Sequence, residues 1–189
     1  KRFFVDIKVK NKVITAHCPN TGSMMGLLKK GNKVWLTKSN DIKRKLKYTL
    51  QIIEVNGSKI GVNTHLTNKI FYESLLNGNI INLKKTDILF REKQFNKNTR
   101  FDFFIKQKNK GIFIEVKNVT LSRFKNIAEF PDAVTERGLK HINELLTAKK
   151  KGFDVYLAFV IQREDCKKFK IAADIDPNYK KLLTFNEFE

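Results

Sequence analysis

The sequence predicts an α/β protein, α+β overall, in two parts: a five-stranded OB-like β-barrel over residues 1–64 and a mixed-sheet domain over 65–189. Three observations predict it. The first part alternates apolar and polar residues in short runs bounded by turn residues. Helical spacing takes over near residue 65. Near the end, DVYLAFVIQ (154–162) is almost wholly apolar, as expected of a parallel strand buried on both faces.

The five runs are FFVDIKVK (3–10), VITAHC (13–18), KVWLTKS (33–39), YTLQIIEV (48–55) and KIGVNT (59–64). Pro19-Asn20, Gly22, Gly31-Asn32, Asn40-Asp41 and Asn56-Gly57 separate them. Asn-Gly is a strong two-residue hairpin signal because both central residues need positive φ. Five short strands fit an OB-type barrel, with an SH3-like barrel as the competing arrangement. LTNKIFYESLLNG (66–78) then places Ile70, Leu75 and Leu76 near helical spacing, with Gly78 at its C-terminus. RFDFFIK (100–106) and GIFIEVK (111–117) form a hairpin joined by QKNK. In 130–152, Thr135 is the expected N-cap and Leu139, Ile142, Leu145 and Leu146 form the apolar stripe. Lys149–Lys151 and Gly152 suit the C-terminus of that helix.

The chemistry sits on the hairpin. Strand side chains alternate, so Glu115 and Lys117 share a face, while Ile112, Ile114 and Val116 make the apolar one. Folding the hairpin about residues 108–109 brings Asp102 opposite Glu115. Two neighbouring carboxylates resist joint ionisation unless a cation lies between them. A hard divalent ion with oxygen ligands, Mg²⁺ or Mn²⁺, fits that pair, with a backbone carbonyl such as that of Val116 completing the set. Lys117 is placed to orient an attacking water and to stabilise charge on a phosphate. The reaction class is metal-assisted phosphodiester hydrolysis. The same residue types on a two-stranded ribbon also make a plain solvated face with a weak ion pair. Glu73, on the preceding helix, is a candidate third acid, although its spacing favours an ordinary exposed glutamate.

Composition points to a polyanionic partner. The chain of 189 residues has a formal net charge of +19 and a pI near 9.9. Residues 1–63 carry 14 basic and 3 acidic side chains, so the first third holds most of the excess. A field of that sign attracts nucleic acid. Codon bias of an AT-rich genome also enriches lysine, but explains poorly why the excess is uneven. Hydrophobic residues at 41% can build a core, and no apolar run is long enough to span a membrane. Cys18 and Cys166 lie far apart, without zinc-ligand spacing, which fits a reducing cytoplasm. The chain does not open on Met, so its true start is expected further upstream.

"AHCPNTGSM" (16–24), "KRKLKYT" (43–49), "GVNTHL" (61–66), "FIEVKNVTL" (113–121), "FPDAVTERGLKHI" (130–142) and "FVIQRED" (159–165) together resemble the sugar fermentation stimulation protein A family. The resemblance covers almost the whole chain. It implies an N-terminal OB-like barrel and a C-terminal PD-(D/E)XK nuclease-like domain. Asp102, Glu115 and Lys117 fall on that fold's metal-and-lysine pattern, and Glu73 where such folds often carry an acid. It further implies DNA binding linked to regulation of sugar use. A catalytic nuclease and a non-catalytic DNA-binding regulator that keeps the fold as scaffold are therefore both open, and a protein–protein adaptor is a weaker third reading. The family normally starts somewhat earlier and ends in a further strand. "IAADIDPNY" (171–179) resembles its acidic element with changes.

Lys43, Arg44, Lys45 and Lys47 lie in a loop between barrel strands, where OB folds track a phosphate backbone, and Trp35 and Tyr48 are candidates to stack on bases. Arg137, Lys140 and His141 share a polar helix side suited to phosphate contact. Gln162, ending the apolar strand, is an accessory candidate for orienting the lysine or a phosphate. CPNTGSMMG (18–26) lacks the Lys-Ser/Thr of a P-loop and reads as a tight turn. His17 and His65 read as structural. The expected partners are DNA and a second copy of the chain, with no membrane, no small-molecule cofactor, and a cytoplasmic, nucleoid-associated location.

Overall fold

The computed structural model describes residues 3–80, 88–108 and 110–185. Asn109 of the QKNK connection and most of the closing FNEFE lie outside the described residues. The chain divides into two compact units. The first gathers residues 1–66, 119–133 and 161–171, and the second 67–118, 134–160 and 172–189. Two short segments from the later half of the chain thus pack with the first third.

In the first unit, β1 (Phe4–Val9), β2 (Lys12–His17), β3 (Val34–Lys38), β4 (Tyr48–Val55) and β5 (Ser58–Gly61) form one sheet in the order β1-β2-β4-β3, with β5 also on β4. All five overlap the predicted runs, but the fifth stops at Gly61, and Thr64 opens a 3-10 turn instead of ending the strand. Asn56 (φ 52°) and Gly57 (φ 81°) make the turn that pairs Val55 with Ser58, as the Asn-Gly signal requires. Cys18, Met24, Leu27, Leu50, Ile53, Ile60 and Val62 form the core. The 18–26 turn spends its amides internally. The Ser23 N–H donates to Asp132 Oδ2 (2.8 Å) and the Gly22 N–H to Asn20 Oδ1 (2.8 Å). A second sheet, β12-β10-β9, joins β9 (Leu121–Phe124), β10 (Ile127–Phe130) and β12 (Lys168–Ile171), with β10 and β12 parallel.

The second unit is a sheet between two helices. Its strands run β11-β8-β7-β6, from β6 (Ile88–Asn96), β7 (Thr99–Lys106), β8 (Gly111–Val119) and β11 (Asp154–Ile161). Alternation along β8 divides the core. Ile112, Ile114 and Val116, with Phe103 and Ile105 of β7, meet Phe71, Tyr72 and Leu75 of α1 (Thr67–Leu76). Phe113 and Phe104 point the other way and pack with Leu145 and Ala148 of α2 (Glu136–Lys150). Phe113 is ringed by Phe95, Phe101, Phe104 and Phe153 at centroid distances of 4.5–5.3 Å.

Three expectations are corrected here. In α1 the packed residues are Phe71, Tyr72 and Leu75, whereas Ile70 and Leu76 are exposed, because the aromatic pair sets the buried face. In α2 the wholly buried stripe is Gly138, Ile142, Leu145 and Ala148, with Leu139 and Leu146 half-buried. β11 contacts both apolar clusters, as its sequence implies, yet stays only half-buried, because it ends the order of described strands in its sheet.

Thr135 caps α2 as predicted: its Oγ1 accepts the Gly138 N–H at 2.9 Å. A Cβ at Gly138 would lie 2.7 Å from Thr135 Cγ2 and 3.0 Å from Tyr179 Cε2, so only glycine lets the cap close. Asp176, 1% exposed, fastens the same corner. It accepts the Thr135 N–H with Oδ2 (3.0 Å) and the Tyr179 N–H with Oδ1 (3.0 Å), capping α3 (Pro177–Phe185). Thr135→Ala is expected to cost about 1 kcal/mol, read as a lower urea midpoint at unchanged slope.

Candidate metal and phosphodiester site

The hairpin register brings the predicted trio together. Phe104 pairs with Phe113 and Phe103 with Ile114, so one further step sets Asp102 beside Glu115. Asp102 is held from two sides. The Val116 N–H donates to its Oδ2 at 2.7 Å, and Asn68 Nδ2 of α1 donates to its Oδ1 at 2.6 Å. The Val116 peptide therefore meets Asp102 through its N–H. Glu115 is 4% exposed. Its Oε1 accepts from Lys117 Nζ at 2.7 Å, and His141 Nδ1 of α2 contacts the same oxygen. His141 Nδ1 is also 3.5 Å from Lys117 Nζ. An ionised carboxylate only accepts, so Nδ1 carries the proton in the contact with Glu115.

The two carboxyls are pushed in opposite directions. Burial, then the neighbouring Glu115 charge, raises the Asp102 pKa from 3.8 to about 6, against the opposing pull of the Val116 N–H, Asn68 and Lys117. Burial also acts against the Glu115 charge, but His141 and Lys117 outweigh it and hold that carboxyl below its usual range. Burial and the charges of Glu115 and Asp176 push the Tyr179 phenol upward. The site thus holds one firmly ionised carboxylate and one that a further cation would help to ionise.

That donor chemistry fits a hard divalent ion. Among the described residues no group of three or more His, Cys, Asp and Glu side chains is arranged to hold a metal. Two carboxylates with water and substrate oxygens filling the remaining positions is the usual Mg²⁺ arrangement. Asp102 and Glu115 would hold the ion.

Two residues position the trio: Asn68, which sequence reasoning missed, and His141, to which it gave another role. Asn68 on α1 reaches Asp102, whereas Glu73 on the same helix is exposed and pairs with Lys69 at 3.9 Å. His141, read from the sequence as a phosphate contact, turns onto Glu115 instead. Arg137, one turn earlier on α2, and Lys140 are exposed, and Lys140 Nζ donates to Asn98 O at 3.3 Å. Gln162 belongs to the first unit, where its O accepts the Gly61 N–H at 2.9 Å. A Cβ on Gly61 would lie 2.6 Å from Gln162 Oε1 and 3.2 Å from its Cβ, so the two strands of chain approach closely there.

The predicted cationic loop also lies in the first unit. Asp41 anchors it by accepting the Lys43 N–H at 2.9 Å. Arg44 is half-buried, with Nη2 donating to Thr49 Oγ1 at 2.7 Å, and Lys47 Nζ donates to Ile42 O at 2.8 Å. Lys43 and Lys45 point into solvent. A shallow depression is lined by His17, Arg44, Lys45 and Leu46. Burial, then the charges of Arg44 and His65, lowers the pKa of His17. Lys33 and Lys59 lie 5.0 and 5.9 Å from the centroid of the Trp35 ring.

Comparison with known proteins covers both parts of the chain. The family model described as SfsA N-terminal OB domain matches residues 1–62. The model described as Sugar fermentation stimulation protein RE domain matches residues 65–187. The sugar fermentation stimulation protein homolog of Pelagibacter ubique is 52% identical over 179 residues, covering 95% of this chain and 77% of that protein. That of Brucella anthropi is 42% identical over 185 residues, covering 97% and 80%. Among solved structures, Pyrococcus furiosus SfsA in complex with Ca²⁺ superposes with a TM-score of 0.87 at 26% identity, covering 97% of this chain and 78% of that one. No helix among the described residues is long and apolar enough to cross a membrane.

Proposed function

The chain belongs to the sugar fermentation stimulation protein family, and we propose that it is a divalent-metal-dependent nuclease acting on DNA. The observation that carries this reading is the convergence of Asp102, Glu115 and Lys117 at one end of the β7–β8 hairpin, with Lys117 Nζ 2.7 Å from Glu115. The Ca²⁺ complex of the Pyrococcus furiosus relative supports a divalent ion in this fold.

Asp102 and Glu115 would hold the ion, Mg²⁺ or Mn²⁺, which when bound supplies an acidified water and neutralises phosphate charge. The chain's own residues do the rest. Asn68 and the Val116 N–H fix the Asp102 carboxyl. His141 and Lys117 keep Glu115 ionised in a buried setting, where electrostatic interactions are stronger than in water. Lys117 presents an ammonium toward the place where a phosphodiester would gain charge. Lys43, Arg44, Lys45 and Lys47, with Arg137 and Lys140, supply cations for the DNA backbone.

The test is incubation of the protein with single-stranded, duplex and branched DNA in Mg²⁺, Mn²⁺ or EDTA. Products with metal and none in EDTA are expected. Binding without cutting in any metal would instead leave a DNA-binding regulator on a nuclease scaffold. DNA affinity is also expected to fall steeply with salt, since each neutralised phosphate releases counterions. A flat salt response, measured by fluorescence anisotropy, would count against the cationic loop as the contact.

A further inference from the structure

The first unit carries an exposed aromatic ring set among cations. β9 and β10 form a hairpin in which Phe124 pairs with Ile127 across the turn residues Lys125 and Asn126. Asn126 takes φ 66°, in the left-handed region that asparagine tolerates better than most residues. Its Oδ1 also accepts the Lys167 N–H at 2.7 Å, fixing the tip against the start of β12. Phe124, at that tip, is 51% exposed. Lys170 Nζ lies 3.7 Å from its ring centroid and the Arg123 guanidinium 5.8 Å away.

A buried carboxylate organises the cations. Glu129 is 1% exposed. It takes the Arg123 side chain in two bonds, Nε to Oε2 (3.0 Å) and Nη2 to Oε1 (2.8 Å), and the Arg123 backbone N–H at 2.9 Å. Lys170 Nζ lies 3.3 Å from the same carboxylate. Burial opposes the Glu129 charge, but these donors outweigh it and lower its pKa. Lys125 in the turn, and Lys167 and Lys168, whose backbone N–H groups bond Asn126 at the tip, are exposed. Two cations therefore pair with Glu129 beside the ring, and three more stand exposed at the same hairpin tip.

Phe124 keeps half its surface in solvent although Lys170 lies over its ring, and Lys125, Lys167 and Lys168 are exposed beside it along the chain. An unpaired nucleotide supplies what both lack: a flat π-face for the ring and a phosphate for the lysines. We propose that Phe124 is a stacking platform for an unpaired base of single-stranded DNA, with Lys125, Lys167 and Lys168 on the adjoining phosphates. The proposal rests on the reading above that the protein binds DNA.

The experiment measures anisotropy of labelled oligothymidine and of a duplex against wild type, Phe124→Ala, Phe124→Leu and Phe124→Trp. Loss of the ring in Phe124→Ala is expected to weaken oligothymidine binding between about fivefold and about a hundredfold. Duplex affinity should change less than about twofold, because paired bases offer no free face. Phe124→Leu should behave like the alanine variant, and Phe124→Trp should keep wild-type affinity. The new indole of Phe124→Trp should add emission that oligothymidine quenches, beyond any change the wild-type Trp35 shows. Wild-type affinity in Phe124→Ala, or in Phe124→Leu, overturns the platform and leaves DNA binding standing. No binding of either DNA by wild type overturns both readings.

Discussion

Lys117→Ala is expected to lower Mg²⁺-dependent DNA cleavage by at least about a hundredfold, measured under single turnover with enzyme in excess. The argument starts from burial. The Lys117 side chain is 12% exposed and its ammonium is 2.7 Å from Glu115. A cation so placed is shielded from water and already oriented, so it stabilises phosphate charge without reorganising. Binding should hardly change, because the cations proposed to meet the DNA backbone lie elsewhere on the chain. Lys117→Arg tests geometry against charge. A planar guanidinium cannot reproduce a compact ammonium that faces both Glu115 and His141, so most of the activity should stay lost. Full cleavage by Lys117→Ala would remove Lys117 from the chemistry.

Asp102→Asn is expected to make the metal-free protein more stable at neutral pH while abolishing cleavage. The folded chain holds the Asp102 proton more tightly than the unfolded chain, with a pKa of about 6 against 3.8. Asp102 therefore costs nothing at pH values below 3.8. The cost grows as pH rises between the two values and is complete above about 6. That gap corresponds to ~3 kcal/mol at most. Asparagine mimics the neutral acid: its carbonyl can still accept the Val116 N–H, and a flip of the Asn68 amide presents an oxygen to the new NH₂. Urea unfolding in EDTA should show a gain in the variant near neutral pH that shrinks toward pH 4. Glu115 has the opposite sign. Its depressed pKa contributes stability at neutral pH that is lost as pH falls through its folded value. Equal stability of variant and wild type at every pH would show that the fold does not strain the Asp102 carboxylate.

Much of this site was legible because strand geometry is periodic. Residues two apart on β8 had to share a face, and the hairpin midpoint had to set Asp102 against Glu115. Both follow from local spacing, as do the five strands of the first unit and the Thr135 cap. What was illegible depends on contacts between distant segments. His141 meets Glu115 only because α2 packs on the Phe113 face. Asn68 replaces Glu73 at the site because Phe71, Tyr72 and Leu75 set the rotation of α1. β6 hid behind its charges and a break in alternation, with Glu92 at φ 51°. β9, β10 and β12 are four residues each and lack the Asn-Gly turn that marks the equally short β5. α3 carried a signal that went unread: Asp176 followed by Pro177 is an N-cap and a first-turn proline.

The most direct test compares wild type with Asp102→Ala in Mg²⁺, at protein concentrations that bind the same DNA equally, and follows product over time. The trio as a metal-dependent site predicts product from wild type, none when EDTA is added, and none from the variant. Equal product from both proteins, or none from wild type in Mg²⁺ or Mn²⁺ while DNA is bound, would contradict it.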